Sequence, residues 1–105
     1  MATQAHRLKL HEELCELLGS RYVYFNPDTN VQMKFPCIIY STSIGRSLNA
    51  DNTNYLFTDS YDVIVVDEDP DSQIPDKILK HFQMIRRGMP YKADGLNHSP
   101  FVLYY

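Results

Sequence analysis

The stretch Ser60-Tyr61-Asp62-Val63-Ile64-Val65-Val66-Asp67-Glu68-Asp69-Pro70-Asp71-Ser72 decides the fold. Its first seven residues are β-branched, aromatic or short, and they alternate cleanly. Tyr61, Val63 and Val65 fall on one face of a strand, and Asp62, Ile64 and Val66 on the other. The near-continuous apolar character predicts a central strand, covered on both sides over part of its length. The chain then turns acidic, and a helix is expected over about 74–85, where Ile78, Phe82 and Ile85 make an i, i+4, i+7 stripe. Ser72 suits the cap, Pro75 the first turn, and Asp76 the positive end of the helix dipole. Arg86 and Arg87 suit the other end, with Gly88 and Pro90 as the stop.

Upstream, residues 3–18 read as a first helix. Leu10, Leu14, Leu17 and Leu18 share one face with Leu8 at its edge, while Glu12, Glu13 and Glu16 face water. Thr3 is the expected N-cap, and Gly19 stands at the left-handed C-cap position. Residues 21–25 read as a short strand closed by the Asn26-Pro27-Asp28 turn signal. Residues 35–40 (Phe35-Pro36-Cys37-Ile38-Ile39-Tyr40) read as another strand, with Pro36 at its beginning or on an edge. Residues 41–54 are polar and lose any apolar period, so they read as a long loop of the kind that is often functional. Residues 99–105 (Ser99-Pro100-Phe101-Val102-Leu103-Tyr104-Tyr105) read as a final strand. The order is helix, strands, loop, strand, helix, strand. That predicts one α+β domain over residues 1–105, a mixed or antiparallel β-sheet flanked by two helices.

Composition narrows the function classes. The 105 residues carry 44% hydrophobic and 22% charged side chains, ordinary for one globular domain. A net charge of −3 argues against a nucleic-acid binder. The basic residues Lys77, Lys80, Arg86, Arg87 and Lys92 read as a solvated helix face. Eight Tyr and five Phe without Trp are equally suited to strands and to a wet protein–protein boundary. Cys15 and Cys37 lack a CxxC spacing and read as buried, reduced thiols. The first residues carry no apolar core, so no signal peptide is expected, and no apolar run approaches the length that spans a bilayer.

No catalytic or cofactor motif emerges. Asp67, Asp69 and Asp71 have the 1, 3, 5 spacing of a calcium loop, but Ser72 stands where that loop needs Gly and Ile78 where it needs Glu. The run reads instead as a strand-to-helix turn whose carboxylates favour the helix start. His6, His11, His81 and His98 are scattered, and His11 has no second His four residues on. His98 reads as part of a turn over residues 95–100. A Cys37–His98 nucleophile pair is allowed by spacing alone, but the neighbours Pro36, Ile38 and Ile39 offer nothing to activate the thiol. No phosphate-cradling glycine motif or nucleophile elbow is present. The expectation is therefore no enzyme, no cofactor and no metal.

Two stretches carry a resemblance. Residues 60–72 with a helix starting near Pro75, and Tyr91-Lys92-Ala93-Asp94-Gly95-Leu96-Asn97-His98-Ser99-Pro100-Phe101-Val102-Leu103-Tyr104-Tyr105, are similar to the small tail-completion and tail-terminator proteins of long-tailed bacteriophages. The first helix and the 35–40 strand fit the same pattern, so the likeness covers most of the chain. It implies a structural virion protein of the tail or neck, assembled in the host cytoplasm. It further implies a homo-oligomeric ring, usually hexameric, that ends the tail tube and docks on the head–tail connector. Genome DNA would pass through the lumen without specific binding, and no membrane would be involved. The family has no catalytic residues to carry over. This chain is shorter than many members, which puts any extra connector-docking elements in doubt.

A ring subunit needs closing contacts on two sides. Terminal strands and long loops are natural places for them, so Arg46 and Asn49 in the loop and Phe101, Tyr104 and Tyr105 in the tail are the expected interface residues. Two alternatives stand beside this reading. One is a head-completion or connector neck protein. The other is a small enzyme or a metal- or ligand-binding module using Cys37, His98 and the acidic turn.

Overall fold

A computed structural model describes residues 4–43 and 60–105 of the chain. Helix α1 (Gln4–Leu18) is followed by strands β1 (Val23–Phe25), β2 (Cys37–Thr42) and β3 (Ser60–Asp67). Helix α2 (Ile74–His81) and strands β4 (Ile85–Arg87), β5 (Tyr91–Ala93) and β6 (Leu96–Tyr104) complete the chain. The six strands form one mixed sheet in the order β1-β2-β3-β6-β4, with β5 also on β6. Among the described residues, only the β1–β2 pair is parallel. The fold is α+β, as the element order predicts.

The 60–66 strand is central. β3 pairs with β2 through six residues and with β6 through eight, from Ser60↔Tyr104 to Asp67↔Asn97. Its alternation holds as read: Tyr61, Val63 and Val65 are buried beneath the helices, while Asp62 is exposed. The far face is also closed at one end, where Val66 and its neighbour Cys37 are buried. Both helices pack on one side of the sheet. Leu10, Leu14 and Cys15 of α1 and Ile78 of α2, with Phe82 just beyond it, meet Val23, Ile38, Tyr40, Tyr61, Val63, Val65, Phe101 and Leu103.

The ends of α1 follow local chemistry. Gly19 has φ +85 and its N–H bonds to the Cys15 carbonyl at 2.9 Å, which is the left-handed exit expected of glycine. Thr3 lies outside the described residues. Glu13 is partly buried rather than solvated, because Tyr105 and His81 both donate to its carboxylate. Strand β1 begins at Val23, leaving Arg21 to bind Glu12 bidentately at 2.8 and 2.9 Å. Strand β2 runs two residues past Tyr40, since Ser41 and Thr42 pair with Asp62 and Tyr61. The long loop therefore starts later than residue 41, and residues 44–54 lie outside the described residues.

The second helix is shorter than its stripe predicts. It stops at His81, and Phe82 leaves it with extended dihedrals (φ −99, ψ 143). Ile85, Arg86 and Arg87 then form β4 against Leu103, Val102 and Phe101. Either conformation delivers Phe82 and Ile85 to the core, so the apolar spacing alone does not distinguish them; the ladder on β6 does. Arg86 and Arg87 are accordingly strand residues, not a helix terminus. Ser72 sits one residue before the N-cap, Gln73, and its Oγ accepts the Ile74 N–H at 3.3 Å.

The tail strand starts earlier than predicted. Asp94 and Gly95 both have positive φ (54 and 77) and make the two-residue turn of a β5–β6 hairpin. His98 thus belongs to a strand, stacked on Tyr91 with ring centroids 4.8 Å apart. Residues 88–90 of the β4–β5 edge face only Ser99 and Pro100 on β6, a one-residue bulge. There the Gly88 N–H donates to the Pro100 carbonyl at 2.8 Å. The Pro100 nitrogen points to that same side, away from β3, so its missing N–H costs the β3–β6 ladder nothing.

Phe101 lies in this core with only 2% of its surface exposed. Phe101→Ala is expected to lower unfolding stability by about 3 kcal/mol or more, whereas Tyr104→Ala costs markedly less. Urea denaturation of both variants checks the difference.

Candidate functional site

The acidic turn is built for backbone, not for an ion. The Asp67 carboxylate accepts the Asp69 N–H at 3.0 Å, and the Asp69 carboxylate accepts the Asp71 N–H at 2.9 Å. These are two successive Asx turns that lead the chain from β3 into α2. Asn97 fastens the same turn by donating Nδ2 to the Asp67 and Glu68 carbonyls. Among the described residues, no three His, Cys, Asp or Glu side chains are grouped to hold a metal.

Beside this turn lies an open cleft of about 390 Å³, between the start of α2 and the β5–β6 hairpin. Its lining includes Asp67 and Asp69 from the turn and Arg87, Lys92, Asn97 and Ser99 from the strands and their edge. Arg87 is engaged with Asp76 at 3.6 Å.

Cys37 and His98 do not meet. They occupy one cross-strand row on β2 and β6, with Val66 of β3 between them. Two strand spacings separate them, about 10 Å. Burial, with a smaller contribution from the nearby Asp67 charge, pushes the Cys37 thiol up to about 11. A thiol of that kind stays protonated and inert at neutral pH.

Two side-chain clusters tie the helices to the sheet. Tyr105 donates its hydroxyl to Glu13, and His81 Nε2 lies 2.8 Å from the other Glu13 oxygen. Burial works to raise the Glu13 pKa, but the hydrogen bonds from Tyr105 and His81 and the charges of His81 and Lys9 bring it below its ordinary value. The Tyr105 ring also packs on His6 and Phe82. In the second cluster, the Tyr40 hydroxyl lies 2.8 Å from His11 Nδ1 and accepts from Arg7 at 3.5 Å. Arg7 can only donate, so the Tyr40 hydroxyl keeps its own proton to give, and a neutral His11 with its proton on Nε2 can accept it at Nδ1. Burial, aided by the Arg21 and Arg7 charges and against that of Glu12, lowers the His11 pKa.

Of the five residues expected at an interface, Arg46 and Asn49 lie outside the described residues. Phe101 is in the core and presents no ring to a partner. Tyr105 is half-buried and bound to α1 through Glu13. Tyr104 is half-buried on the sheet face away from the helices. The terminal strand also has no long free edge, because β6 is paired with β3 on one side and with β4 and β5 on the other. The outer edges are poor templates for strand addition: β1 has three residues, and the β4–β5 edge is broken by its bulge and Pro90.

What sequence reasoning missed is the second face of the sheet. The cross-strand register puts Tyr24, Ile39, Ile64 and Pro100 in one apolar row across β1, β2, β3 and β6. The adjacent row is Ser41, Asp62, Val102 and Arg86. Neither described helix lies on this face, and Ile39, Ile64 and Val102 are only half-buried. Ile64, Val66, Pro100 and Val102 were visible as even-numbered apolar positions, but only the register shows that they line up.

Comparison of the chain with protein-family models, curated proteins and solved structures finds no match. No described helix is long and apolar enough to cross a membrane.

The stability that neutral His11 supplies is fully present above the ordinary histidine pKa of about 6.5 and is lost as pH falls through the lower folded value. The urea midpoint should therefore drop between pH 7.5 and 5.5, and drop less in His11→Gln. Asp69→Ala, which removes one Asx acceptor, should cost about 1 kcal/mol. That loss should be the same with and without added calcium, as thermal melts will read.

Proposed function

We propose that this chain is the subunit of a homo-oligomeric ring that ends the tail tube of a long-tailed phage and joins it to the head–tail connector. The observation that carries the reading is the second sheet face. An apolar row that crosses four strands is surface that a working assembly covers with another chain. The stretches that resemble tail terminators supply the kind of assembly. One of them is β3 with the Asx turns and α2; the other is the β5–β6 hairpin with its long strand. A net charge of −3 suits a channel that lets DNA slide past, since a basic lumen would grip the phosphates.

In this reading the contact surface differs from the tail residues that the sequence points to. Ile39, Ile64 and Val102 on the sheet face carry it, with Tyr104 at the border. Edge-strand exchange contributes little, given the short β1 and the bulged β4–β5 edge.

The test is assembly. Purified protein mixed with polymerising tail tube protein should cap tubes at one end, seen as rings by negative-stain imaging and as an arrest of tube growth. Ile64→Glu should abolish capping while leaving the circular-dichroism spectrum unchanged. A wild-type chain that neither binds tube ends nor alters their growth overturns the proposal.

A further inference from the structure

The second sheet face is self-complementary in charge. Asp62, Val102 and Arg86 are cross-strand neighbours on β3, β6 and β4. With strands about 4.8 Å apart, the acid and the base stand about equally far to either side of Val102. Both are exposed. Among the described residues, the Asp62 carboxylate accepts a 3.4 Å bond from Ser43 and Arg86 makes no ion pair. Along β6 itself, the same face carries Pro100, Val102 and Tyr104, an unbroken stripe of apolar and aromatic side chains. Ile64 flanks the stripe on β3, and Met84, 45% exposed, flanks it beyond β4, where its carbonyl accepts the Tyr104 N–H.

We infer that this face pairs with the same face of a second copy, about a two-fold axis that runs parallel to β6 above Val102. That rotation turns the partner's sheet to face the first and reverses the order of its strands. Val102 then meets Val102, and each Asp62 lies opposite the other copy's Arg86. Two reciprocal ion pairs flank an apolar stripe, in the aligned sheet-on-sheet packing that holds β-sandwiches together at about 10 Å. The charges set the register, since any other superposition leaves a carboxylate or a guanidinium against apolar surface. An isologous contact closes on itself and cannot propagate. The pair is therefore a resting form that keeps the apolar face covered until a tube end replaces the second copy. The inference rests on the proposed assembly role, because it names the partner of that same face in the free protein.

Sedimentation of the full chain over a range of concentrations tests it, with Asp62→Arg, Arg86→Asp and the double exchange. Wild type should sediment as a pair. Each single exchange should raise the dissociation constant on the order of tenfold or more, by placing like charges opposite each other. The double exchange should restore pairing to near wild type. At concentrations where all four are monomeric they should share one melting profile, because both sites are exposed. A wild type that stays monomeric to its highest soluble concentration overturns the pairing, as does a double exchange no better than the singles. Tube capping, measured on the same proteins, is independent of this outcome: capping by a monomeric wild type removes the pairing and leaves the ring proposal standing.

Discussion

The eight-residue antiparallel register between β3 and β6 is the constraint on which the rest of the molecule depends. It joins the first half of the chain to the last and puts the two longest strands at the centre of the sheet. β2 and β1 attach on one flank, β4 and β5 on the other. It also decides which side chains share a face. One residue of slip on β3 would send Val63 and Val65 to the outside and bring Asp62 beneath the helices, and the same slip on β6 would send out Phe101 and Leu103. Burial of the first set forbids that slip. The bulge at residues 88–90 takes up the mismatch between β4 and β5 on the far edge, so the central pair stays regular past Pro100.

Much of this was legible in the sequence, and the reasons are local. The alternation over 60–66 had one apolar interpretation, and the leucine spacing in α1 had another, so strand and helix separate cleanly. The boundary between α2 and β4 was not legible. Ile78, Phe82 and Ile85 satisfy helical spacing, yet Phe82 and Ile85 reach the same core when the chain leaves the helix between them. The Asp94-Gly95 pair between Tyr91-Lys92-Ala93 and Leu96-Asn97-His98 is a strong two-residue hairpin signal. That signal puts His98 in a strand and confines the turn to Asp94 and Gly95, not residues 95–100.

The tail aromatics show why residue type alone misplaces function. Phe101, Tyr104 and Tyr105 are near neighbours of similar chemistry, but β6 sends them to three environments. Phe101 enters the core, and Tyr104 goes to the open face. Tyr105 reaches across to Glu13, where burial first, and then its bond to that carboxylate, raise its pKa. A strand's two-residue period, not aromaticity, sorts them. Tyr40 makes the same point from the inside: its ring is fully buried, and its hydroxyl is stable there only because His11 and Arg7 serve it.

The sheet therefore has two faces with different rules. The helix-covered face satisfies its polar atoms internally, through the Tyr40–His11 and Tyr105–Glu13–His81 clusters, and needs nothing from outside. On the other face Cys37 and Val66 are buried at one end and Ser60 at the other, and Ile39, Ile64 and Val102 between them are half-buried. A domain of this size buries about two-thirds of its unfolded surface, so leaving such a row uncovered sacrifices stability that a small core can hardly spare. Selection for stability alone would place polar residues at Ile39, Ile64 and Val102, where an antiparallel sheet facing water normally has them. Under the proposed assembly, contact with another chain accounts for their apolar character. The same logic explains why the polar cleft beside α2 says less: its carboxylates already hold the turn.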